Sequence, residues 1–300
     1  MSFSASTIAN YLGLDLVGHN PRIVRASSLK SHTPNSMLWL KSATTEGIAN
    51  VNASIDCLAI VPSACEGKIE TAHVLSSNPK YDFARALQQF FALRPDPVID
   101  RTAVIHSSVK LGNRVSVGHF CLIEENVEVG EGTIIGSHSV IRHGTILGKN
   151  CWLKSHTVIG EQGFGFAFNG DEPFRMEHLG NVIIGDNVEI GSFTSVMRGT
   201  LGPTQICDGV KIDDLVLIAH NVTIHKNTVI AGGATVAGSV EIGENSWIGA
   251  HTSILNGLSL GSGVLVGLGS TVIRNLKENE VVIGEPARHL RNRGLGERFA

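Results

Sequence analysis

The sequence predicts a mainly β protein, a left-handed parallel β-helix of hexapeptide repeats that follows a small N-terminal α/β domain. Three features predict this class: a period of six residues, abundant glycine and few aromatic residues. The chain of 300 residues has 34 glycines, while only 5% of its residues are aromatic. Aliphatic residues recur at every sixth position, first at Leu111, Val117, Ile123, Val129, Ile135, Ile141, Leu147, Leu153 and Ile159, then at Ile212, Ile218, Ile224, Ile230, Val236, Ile242, Ile248, Ile254, Leu260, Val266 and Val272.

The six-residue period fits neither a helix nor a simple alternating strand. A small or β-branched residue stands two positions before every aliphatic one except Leu260, as Val216 does before Ile218. Residues two apart on a strand point to the same side, so both face the interior. Three hexapeptides close one triangular coil, and strands of successive coils then stack about 4.8 Å apart. A β-sandwich would instead show turn signals every 8–12 residues or so, without a strict register.

Residues 1–97 do not follow the period and predict a separate α/β domain. Ser4 to Leu14 reads as an amphipathic helix with a serine cap, and Tyr81 to Leu93 reads as a second helix. Between them, residues 37–40 and 57–61 read as short strands.

The β-helix is predicted over residues 98–284, followed by a tail at 285–300. A small phase slip is expected near Leu201, and a longer segment, 161–181, interrupts the repeats. That inserted segment contains Phe164, Phe166, Phe168 and Phe174. Such a loop is often functional, and the alternative is that its phenylalanines pin it to the wall of the β-helix.

Composition excludes several classes of function. The net charge of -3 provides no basic stripe, so nucleic acid is not an expected partner. The five cysteines form no CxxC pair, which argues against a disulfide framework or a zinc knuckle. No stretch is long and apolar enough for a membrane span and no signal peptide is evident, so a cytoplasmic location without membrane insertion is expected.

Several motifs resemble the UDP-3-O-acylglucosamine N-acyltransferase family of lipid A synthesis. They are QGFGFAF (162–168), LGNVIIGDNVEIGS (179–192), RGTLG (198–202), IDDLVLIAHNV (212–222) and, in the N-terminal part, RASSL (25–29), MLWL (37–40) and NPKYDFARALQQFF (78–91). The resemblance implies a homotrimer with active sites in clefts between subunits. It also implies sequential binding of an acyl carrier and a nucleotide-linked amino sugar, with no resident cofactor.

The chain departs from the family pattern at several positions. The family has a second histidine near the position of Gly257, and its DRG triplet reads Met197-Arg198-Gly199 here. Thr45 stands where a tyrosine is expected, and the end of the chain carries GEPAR (284–288), as in acetyl-CoA-dependent hexapeptide acetyltransferases. Two acyl donors therefore remain open, acetyl-CoA and acyl carrier protein, with a short acyl group modestly favoured.

Acyl transfer to an amine needs a base, a donor to the oxyanion and substrates held in line. His220 is the predicted base, because a histidine of ordinary pKa near 6.5 is largely neutral at cytoplasmic pH and this position lies off the two inward positions of its repeat. Gly238 stacks one coil above His220, where its N–H is predicted to bind the oxyanion. Asp213, the family's position for the carboxylate, or Asp214 is expected to orient the imidazole, within the chain, from another subunit or through water.

Substrate contacts are predicted at six further positions. Trp39 is a candidate for stacking on the nucleotide base, which assigns nucleotide binding to residues 1–97. Asn78 is a second candidate in that domain, and Phe164 and Phe166 are candidates in the inserted segment. Asn256, two coils above His220, is a candidate for contact with the pantetheine arm, and Arg288 for contact with phosphates of the carrier.

Two rival functions follow from the same repeats. Some trimeric β-helices are γ-carbonic-anhydrase-like zinc enzymes, and the pairs His138/His143 and His220/His225 have the five-residue offset of such sites. A zinc site needs a third ligand nearby. One coil away stand Glu125 below His143, Cys207 below His225 and His156 above His138, but His143 has no companion histidine above it, so the zinc alternative is the less favoured one. The other rival is a catalytically silent trimeric scaffold. The favoured interpretation is an N-acyltransferase for lipopolysaccharide or surface polysaccharide synthesis.

Overall fold

A computed structural model describes residues 2–92, 96–286, 288–292 and 294. The chain divides into two compact units, Met1–Pro95 and Asp96–Ala300. The predicted helix end at Leu93, part of the expected linker and half of the predicted tail lie outside the described residues.

The first unit is an α/β domain around a five-stranded sheet. In spatial order the strands are Leu16–Val17, His73–Ser76, Leu58–Pro62, Ser36–Trp39 and Arg25–Ala26, and a separate two-stranded sheet joins Phe3–Ser4 to Arg22–Ile23. Only the Leu16–Val17 strand runs antiparallel in the five-stranded sheet. Both strands predicted in this unit are therefore present.

Three α-helices accompany this sheet: α1 (Ala5–Leu12), α2 (Thr45–Asn52) and α3 (Pro79–Ala86), together with the 3-10 helix Ser63–Cys65 and the π-helical turn Leu87–Phe91. The predicted serine cap is confirmed, since the Ser4 hydroxyl accepts the Thr7 N–H at 3.1 Å. Helix α1 ends at Gly13, whose φ of 72° is left-handed. Helix α2 was not predicted, because its short apolar pattern is weak.

The second unit is a parallel β-helix with three sheets of ten, nine and eight strands. Sheet I comprises Ser116–Val117, Ile134–Ile135, Trp152–Leu153, Glu189–Ile190, Lys211–Ile212, Val229–Ile230, Trp247–Ile248, Leu265–Val266, Glu280–Ile283 and Arg288–Asn292. Sheet II comprises Val104–Ile105, Leu122–Ile123, Val140–Ile141, Val158–Glu161, Ser195–Met197, Leu217–Ile218, Thr235–Val236, Ser253–Ile254 and Thr271–Val272. Sheet III comprises Lys110–Leu111, Glu128–Val129, Ile146–Leu147, Val182–Ile184, Thr204–Ile206, Thr223–Ile224, Glu241–Ile242 and Ser259–Leu260.

The strand register follows the predicted period and confirms the fold class. Leu217 pairs with Thr235, and Thr235 with Ser253, one coil apart each time. The phase slip is also present, since Ser192 hydrogen-bonds to Asp214, 22 residues away, across one coil. This spacing of 22 residues, in place of the 18 of a regular coil, reflects four additional residues around Leu201. Across the inserted segment, residues of neighbouring coils are 37 apart, as Lys149 and Asp186 are.

The predicted inward positions form one continuous apolar core. The aliphatic positions from Val117 to Val272 are buried, Ile218, Ile230 and Val236 each at 0% exposure, while Leu111 in the first coil is half-buried. Hydroxyl groups at the small positions are satisfied by main-chain carbonyls, as where Thr228 donates to Gly243 at 2.9 Å. Thr145 is the exception, since its buried Oγ1 has no hydrogen-bond partner among the described residues.

The inserted segment contains a β-hairpin, with strands Phe166–Asn169 and Glu172–Arg175. Three of its phenylalanines are largely exposed: Phe164 at 87%, Phe168 at 71% and Phe174 at 76%. The interpretation that these side chains pin the loop to the wall is therefore wrong for those three. Phe166 is half-buried and meets Phe164 edge-on, with ring centroids 5.0 Å apart.

Candidate active site

His220 lies at the corner between sheets II and III, directly after the strand Leu217–Ile218. As predicted for a position off the two inward sites of its repeat, its imidazole is half-buried and lines a surface groove of about 590 Å³. The groove lies on sheet II, and the side chains of Leu217, Thr235 and Ala237 form much of its floor.

Asn221, the next residue, determines which nitrogen of His220 carries the proton. Asn221 Oδ1 accepts the Thr200 N–H at 3.0 Å, which identifies that atom as the amide oxygen. The same oxygen lies 3.1 Å from His220 Nδ1, so Nδ1 must donate to it. In the neutral imidazole Nε2 is then left without a proton, in the state that a base requires.

Gly238 lies beside His220 Nε2, as the stacking of coils predicted. A Cβ atom built on Gly238 would lie 2.7 Å from Nε2, so only glycine leaves this space open. The described residues offer the Gly238 amide no hydrogen-bond partner, while the flanking Ala237 and Ser239 amides both bond to main-chain carbonyls. An N–H group is thus available in the groove next to the unprotonated nitrogen.

The inserted segment forms the other wall of the groove through Gln162, Gly163, Phe164 and Arg175. Arg175 lies over the Phe166 ring at 5.8 Å, so Phe166 supports a wall residue and does not line the groove itself. Asn256 is exposed and lines the upper part of the groove, as predicted.

Asp213 is not brought to His220 within the chain. It lies exposed at the other edge of sheet II, at the corner that follows strand Lys211–Ile212, and the strand Leu217–Ile218 separates the two residues. Asp214 is also engaged elsewhere, since it accepts the Ser192 N–H at 2.7 Å. Within one chain the amide of Asn221 therefore takes the place expected for a carboxylate. A contact of Asp213 from another subunit stays a prediction.

Of the remaining predicted substrate residues, Trp39 and Asn78 belong to the first unit and Arg288 to the last strand of sheet I. Trp39 is half-buried against the core of the first unit, with Phe83 at 6.2 Å between ring centroids. Asn78 caps helix α3 by accepting the Tyr81 N–H at 3.3 Å. Arg288 lies exposed on the last strand of sheet I, opposite Ile283. Their roles in binding stay predictions.

An ion-pair and hydrogen-bond network holds the start of the inserted segment. Arg142 bonds to Glu124 at 2.6 Å and to Glu161 at 2.5 Å. Arg198 is only 2% exposed and donates to the Gly160 carbonyl at 2.8 Å and to His143 Nε2 at 2.5 Å. Burial lowers the pKa of the Arg198 guanidinium. This network fixes the corner from which the segment leaves the coil.

These contacts bear on the zinc alternative. His143 accepts from Arg198, whereas His138 stacks on His156 with ring centroids 4.8 Å apart. His225 pairs with Glu241 at 2.8 Å. Across the described ranges, no group of three or more histidine, cysteine, aspartate or glutamate side chains lies close enough to hold a metal ion. The residues present therefore do not fit a catalytic zinc site, which needs three protein ligands.

Sequence reasoning missed Asn221, Gln162 and His178 as site residues. His178 is buried at 1% exposure and meets the His220 ring edge-on, with centroids 4.9 Å apart. The sequence contained a signal for these contacts. The inserted segment leaves the coil at the corner between sheets II and III, and the same corner carries His220 two coils further along the β-helix. Counting coils from the insertion would have placed the segment beside the base.

Matches to known proteins agree with this geometry. Residues 203–238 match the family model described as bacterial transferase hexapeptide (six repeats). Residues 126–160 and 239–274 match the hexapeptide repeat of succinyl-transferase. A UDP-3-O-acylglucosamine N-acyltransferase of Delftia acidovorans is 40% identical over 240 residues, which cover 77% of this chain and 71% of that protein.

The chain belongs to the UDP-3-O-acylglucosamine N-acyltransferase family. UDP-3-O-acylglucosamine N-acyltransferase 1 of Legionella pneumophila (strain Paris) is 38% identical over 252 residues, with 77% of this chain and 70% of that protein covered. Family membership confirms that the protein is an acyltransferase.

Solved structures place this acyltransferase among related β-helix enzymes. LpxA from Acinetobacter baumannii is 26% identical, with a TM-score of 0.60 over 65% of this chain and 74% of that one. The UDP-N-acetylglucosamine acyltransferase from Campylobacter jejuni, at 23% identity and a TM-score of 0.60, covers 65% of this chain and 75% of its own, and shares the fold. In the described part of the acyltransferase, no helix has the length and apolar character needed to cross a bilayer.

Proposed function

We propose that this acyltransferase moves an acyl group from a thioester carrier to the amino group of a nucleotide-linked amino sugar, with His220 as the general base. The observation that carries the proposal is the unprotonated His220 Nε2, set by Asn221 and lying in the groove beside Gly238, whose amide has no partner among the described residues. The relatives at 38–40% identity are named N-acyltransferases of a UDP-linked 3-O-acylglucosamine, which supports an amine as the acceptor.

The reaction requires no covalent enzyme intermediate. The amine attacks the thioester carbonyl carbon, a C–N bond forms, and Nε2 of His220 takes the proton that the amine loses. The oxyanion of the tetrahedral intermediate accepts the Gly238 N–H. When the intermediate collapses the C–S bond breaks, and the imidazolium returns its proton to the departing thiolate.

The lining of the groove bears on the acyl donor. Met197, Leu217, Ala219 and Ala237 line it beside the largely exposed Phe164 ring. Such a surface suits an acyl chain longer than acetyl, because burial of each methylene contributes about 0.8 kcal/mol. We propose an acyl carrier protein thioester as the preferred donor and acetyl-CoA as the alternative that the assay must test. Asn256 and Arg288 are the proposed contacts for the arm and phosphates of the donor.

The first unit is the proposed nucleotide-binding domain. Trp39 ends one parallel strand of its sheet, and Asn78 lies just beyond the carboxyl end of a second, with the strand Leu58–Pro62 between the two. Ligands of open α/β sheets bind at this edge. Trp39 would stack on the base of the nucleotide, and the product would serve lipopolysaccharide or surface polysaccharide assembly in the cytoplasm.

We propose a homotrimer as the active form. The corner between sheets I and II carries a ladder of stacked rings, Phe120, His138, His156 and Phe193, with successive centroids 5.2, 4.8 and 4.7 Å apart. Phe120 is 61% and Phe193 59% exposed in the isolated chain. Apolar rings exposed in such a row favour contact with further copies. A neighbouring copy at this corner would also bring a second protein surface, including its Asp213, towards the groove.

A thiol-release assay tests the proposal. Acetyl-CoA and 3-hydroxyacyl carrier protein are each supplied with a panel of UDP- and dTDP-linked amino sugars, including a 3-O-acylated UDP-glucosamine. The proposal predicts thiol release that depends on the free amine, fastest with the carrier protein. Release with none of these pairs, or equal release from N-acetylated sugars, would contradict it.

A further inference from the structure

One buried histidine beside the proposed base has an unmet hydrogen bond. His178 Nδ1 lies 3.0 Å from the Met176 carbonyl, and a carbonyl only accepts, so Nδ1 carries the proton. His178 Nε2 is then an acceptor, and it is buried without a partner among the described residues. Burial, followed by the nearby His220 and Arg175, lowers the pKa of His178, so the ring is neutral at neutral pH.

The His178 ring fills the space between the start of its own inserted segment, at Gly163 and Gly165, and the His220 side chain. A Cβ atom on Gly163 would lie 2.6 Å from His178 Nε2 and 3.1 Å from His220 Cβ. A Cβ atom on Gly165 would lie 2.9 Å from His178 Cε1. Only glycine at both positions leaves room for the imidazole, which in turn meets the His220 ring at 4.9 Å with an interplanar angle of 65°.

The main chain around His178 is fixed to the start of the same segment. Gln162 Oε1 accepts the His178 N–H at 2.9 Å, and Gln162 Nε2 donates to the His178 carbonyl at 3.2 Å. Gln162 also lines the groove, whereas His178 does not. His178 therefore has no access to substrate and can act only through the residues that it contacts.

We propose that His178 is a positioning residue. Its imidazole packs between the Gly163–Gly165 stretch and the His220 ring, and it keeps Nε2 of the base turned towards Gly238 and the groove. This inference rests on the proposed role of His220 as the base. Movement of the segment and orientation of the base are then coupled, because one buried ring contacts both.

A double-mutant cycle on kcat tests this positioning role of His178. His178→Ala should lower kcat about tenfold or more while the KM for each substrate changes less than about threefold, as expected when only the orientation of a base is lost. Gly163→Ala alone should also lower kcat about tenfold, because its new methyl group collides with the ring. In the His178→Ala background the same Gly163→Ala change should cost less than about twofold, since the His178 ring is gone and the remaining 3.1 Å approach to His220 Cβ needs only a small shift.

His225→Ala is the matched control, because it removes an exposed imidazole outside the groove and should leave kcat unchanged. If His178→Ala does not fold, His178→Asn is used. Its side-chain amide retains a donor for the Met176 carbonyl but does not fill the space of the imidazole, so it should show the same loss of kcat. Independent, multiplying losses in the cycle, or full turnover in a folded His178 variant, would overturn the inference. Full turnover in His220→Ala would instead defeat the proposed function, so the two failures are distinguishable.

Discussion

At the scale of single residues, the hydrogen bond between Asn221 and His220 decides which imidazole nitrogen can accept a proton. The sequence pointed to His220 through its position off the inward sites and through the IAHNV motif. It could not identify the partner of Nδ1, because the Asn221 side chain is oriented by Thr200, which lies beyond the phase slip, 21 residues earlier. Contacts that depend on an irregular loop are not set by the six-residue period.

Substitution of Asn221 tests this orientation. Asn221 has a left-handed φ of 59°, so Asn221→Gly removes the acceptor without straining the backbone. We expect kcat to fall about 10–100-fold, part of the range that general-base catalysis supplies. Asn221→Asp retains the acceptor, so it should keep more activity than Asn221→Gly. Its carboxylate favours the imidazolium, so the acid limb of its kcat/KM profile should move to higher pH. Equal activity of wild type, Asn221→Gly and Asn221→Asp across pH would contradict the assignment of Asn221 as the residue that orients His220.

At the scale of elements, the repeating strands were predictable and the inserted hairpin was not. Every coil repeats one pattern, in which two inward residues alternate with outward ones, so register follows from counting. The inserted segment has no such repeat, and its three exposed phenylalanines ran against the expectation that aromatic side chains anchor a loop. The turn at Gly170, with a φ of 62°, is the local signal for a hairpin within the Asn169–Glu172 stretch.

The hairpin supplies a prediction about the acyl donor. Phe164 is 87% exposed and lines the groove, whereas Phe174 is 76% exposed and does not. Phe164→Ala should raise the KM for a long-chain acyl donor about tenfold, the effect of losing roughly 1.4 kcal/mol of apolar contact, with thermal stability unchanged. Phe174→Ala is the matched control and should bind the donor normally. Equal effects of the two changes in steady-state kinetics would argue against an acyl contact at Phe164.

The last coil of the β-helix is closed by an acid-sensitive contact. Glu280 accepts Arg274 Nη2 at 2.7 Å and the Lys277 N–H at 3.0 Å, and His289 Nδ1 lies at 3.3 Å. Arg274 is the main cause that lowers the pKa of Glu280 from 4.5 to about 2. A carboxylate whose pKa is lower in the folded than in the unfolded protein stabilises the fold at pH values above its unfolded pKa. This stability is lost as the pH falls from about 4.5 to about 2.

Glu280→Gln should therefore weaken protection of the Arg288–Asn292 amides against hydrogen exchange at neutral pH. The shift corresponds to at most about 3 kcal/mol for that closing strand, at 1.36 kcal/mol for each pKa unit. The difference from wild type should shrink as the pH is lowered towards 2. A difference that stays constant over this range would show that the charge of Glu280 is not its source.

At the scale of the whole molecule, the proposed trimer rests on the row of stacked rings along one corner of the β-helix. Phe193→Asp places a charge within this ladder and should lower the native mass from three chains to one, with loss of turnover, because an unpaired charge is costly to bury in an interface. Light scattering of the purified variant measures this directly. A trimer that persists in Phe193→Asp would place the subunit contact elsewhere.

The central claim is that one imidazole, set by its neighbour and facing a glycine amide, performs the acyl transfer. Steady-state thiol release by His220→Ala, at a native mass equal to that of wild type, tests it most directly. We predict a kcat lower by about 10²–10⁴, the contribution of a general base, with the assembly intact. Wild-type turnover by that variant would contradict the claim.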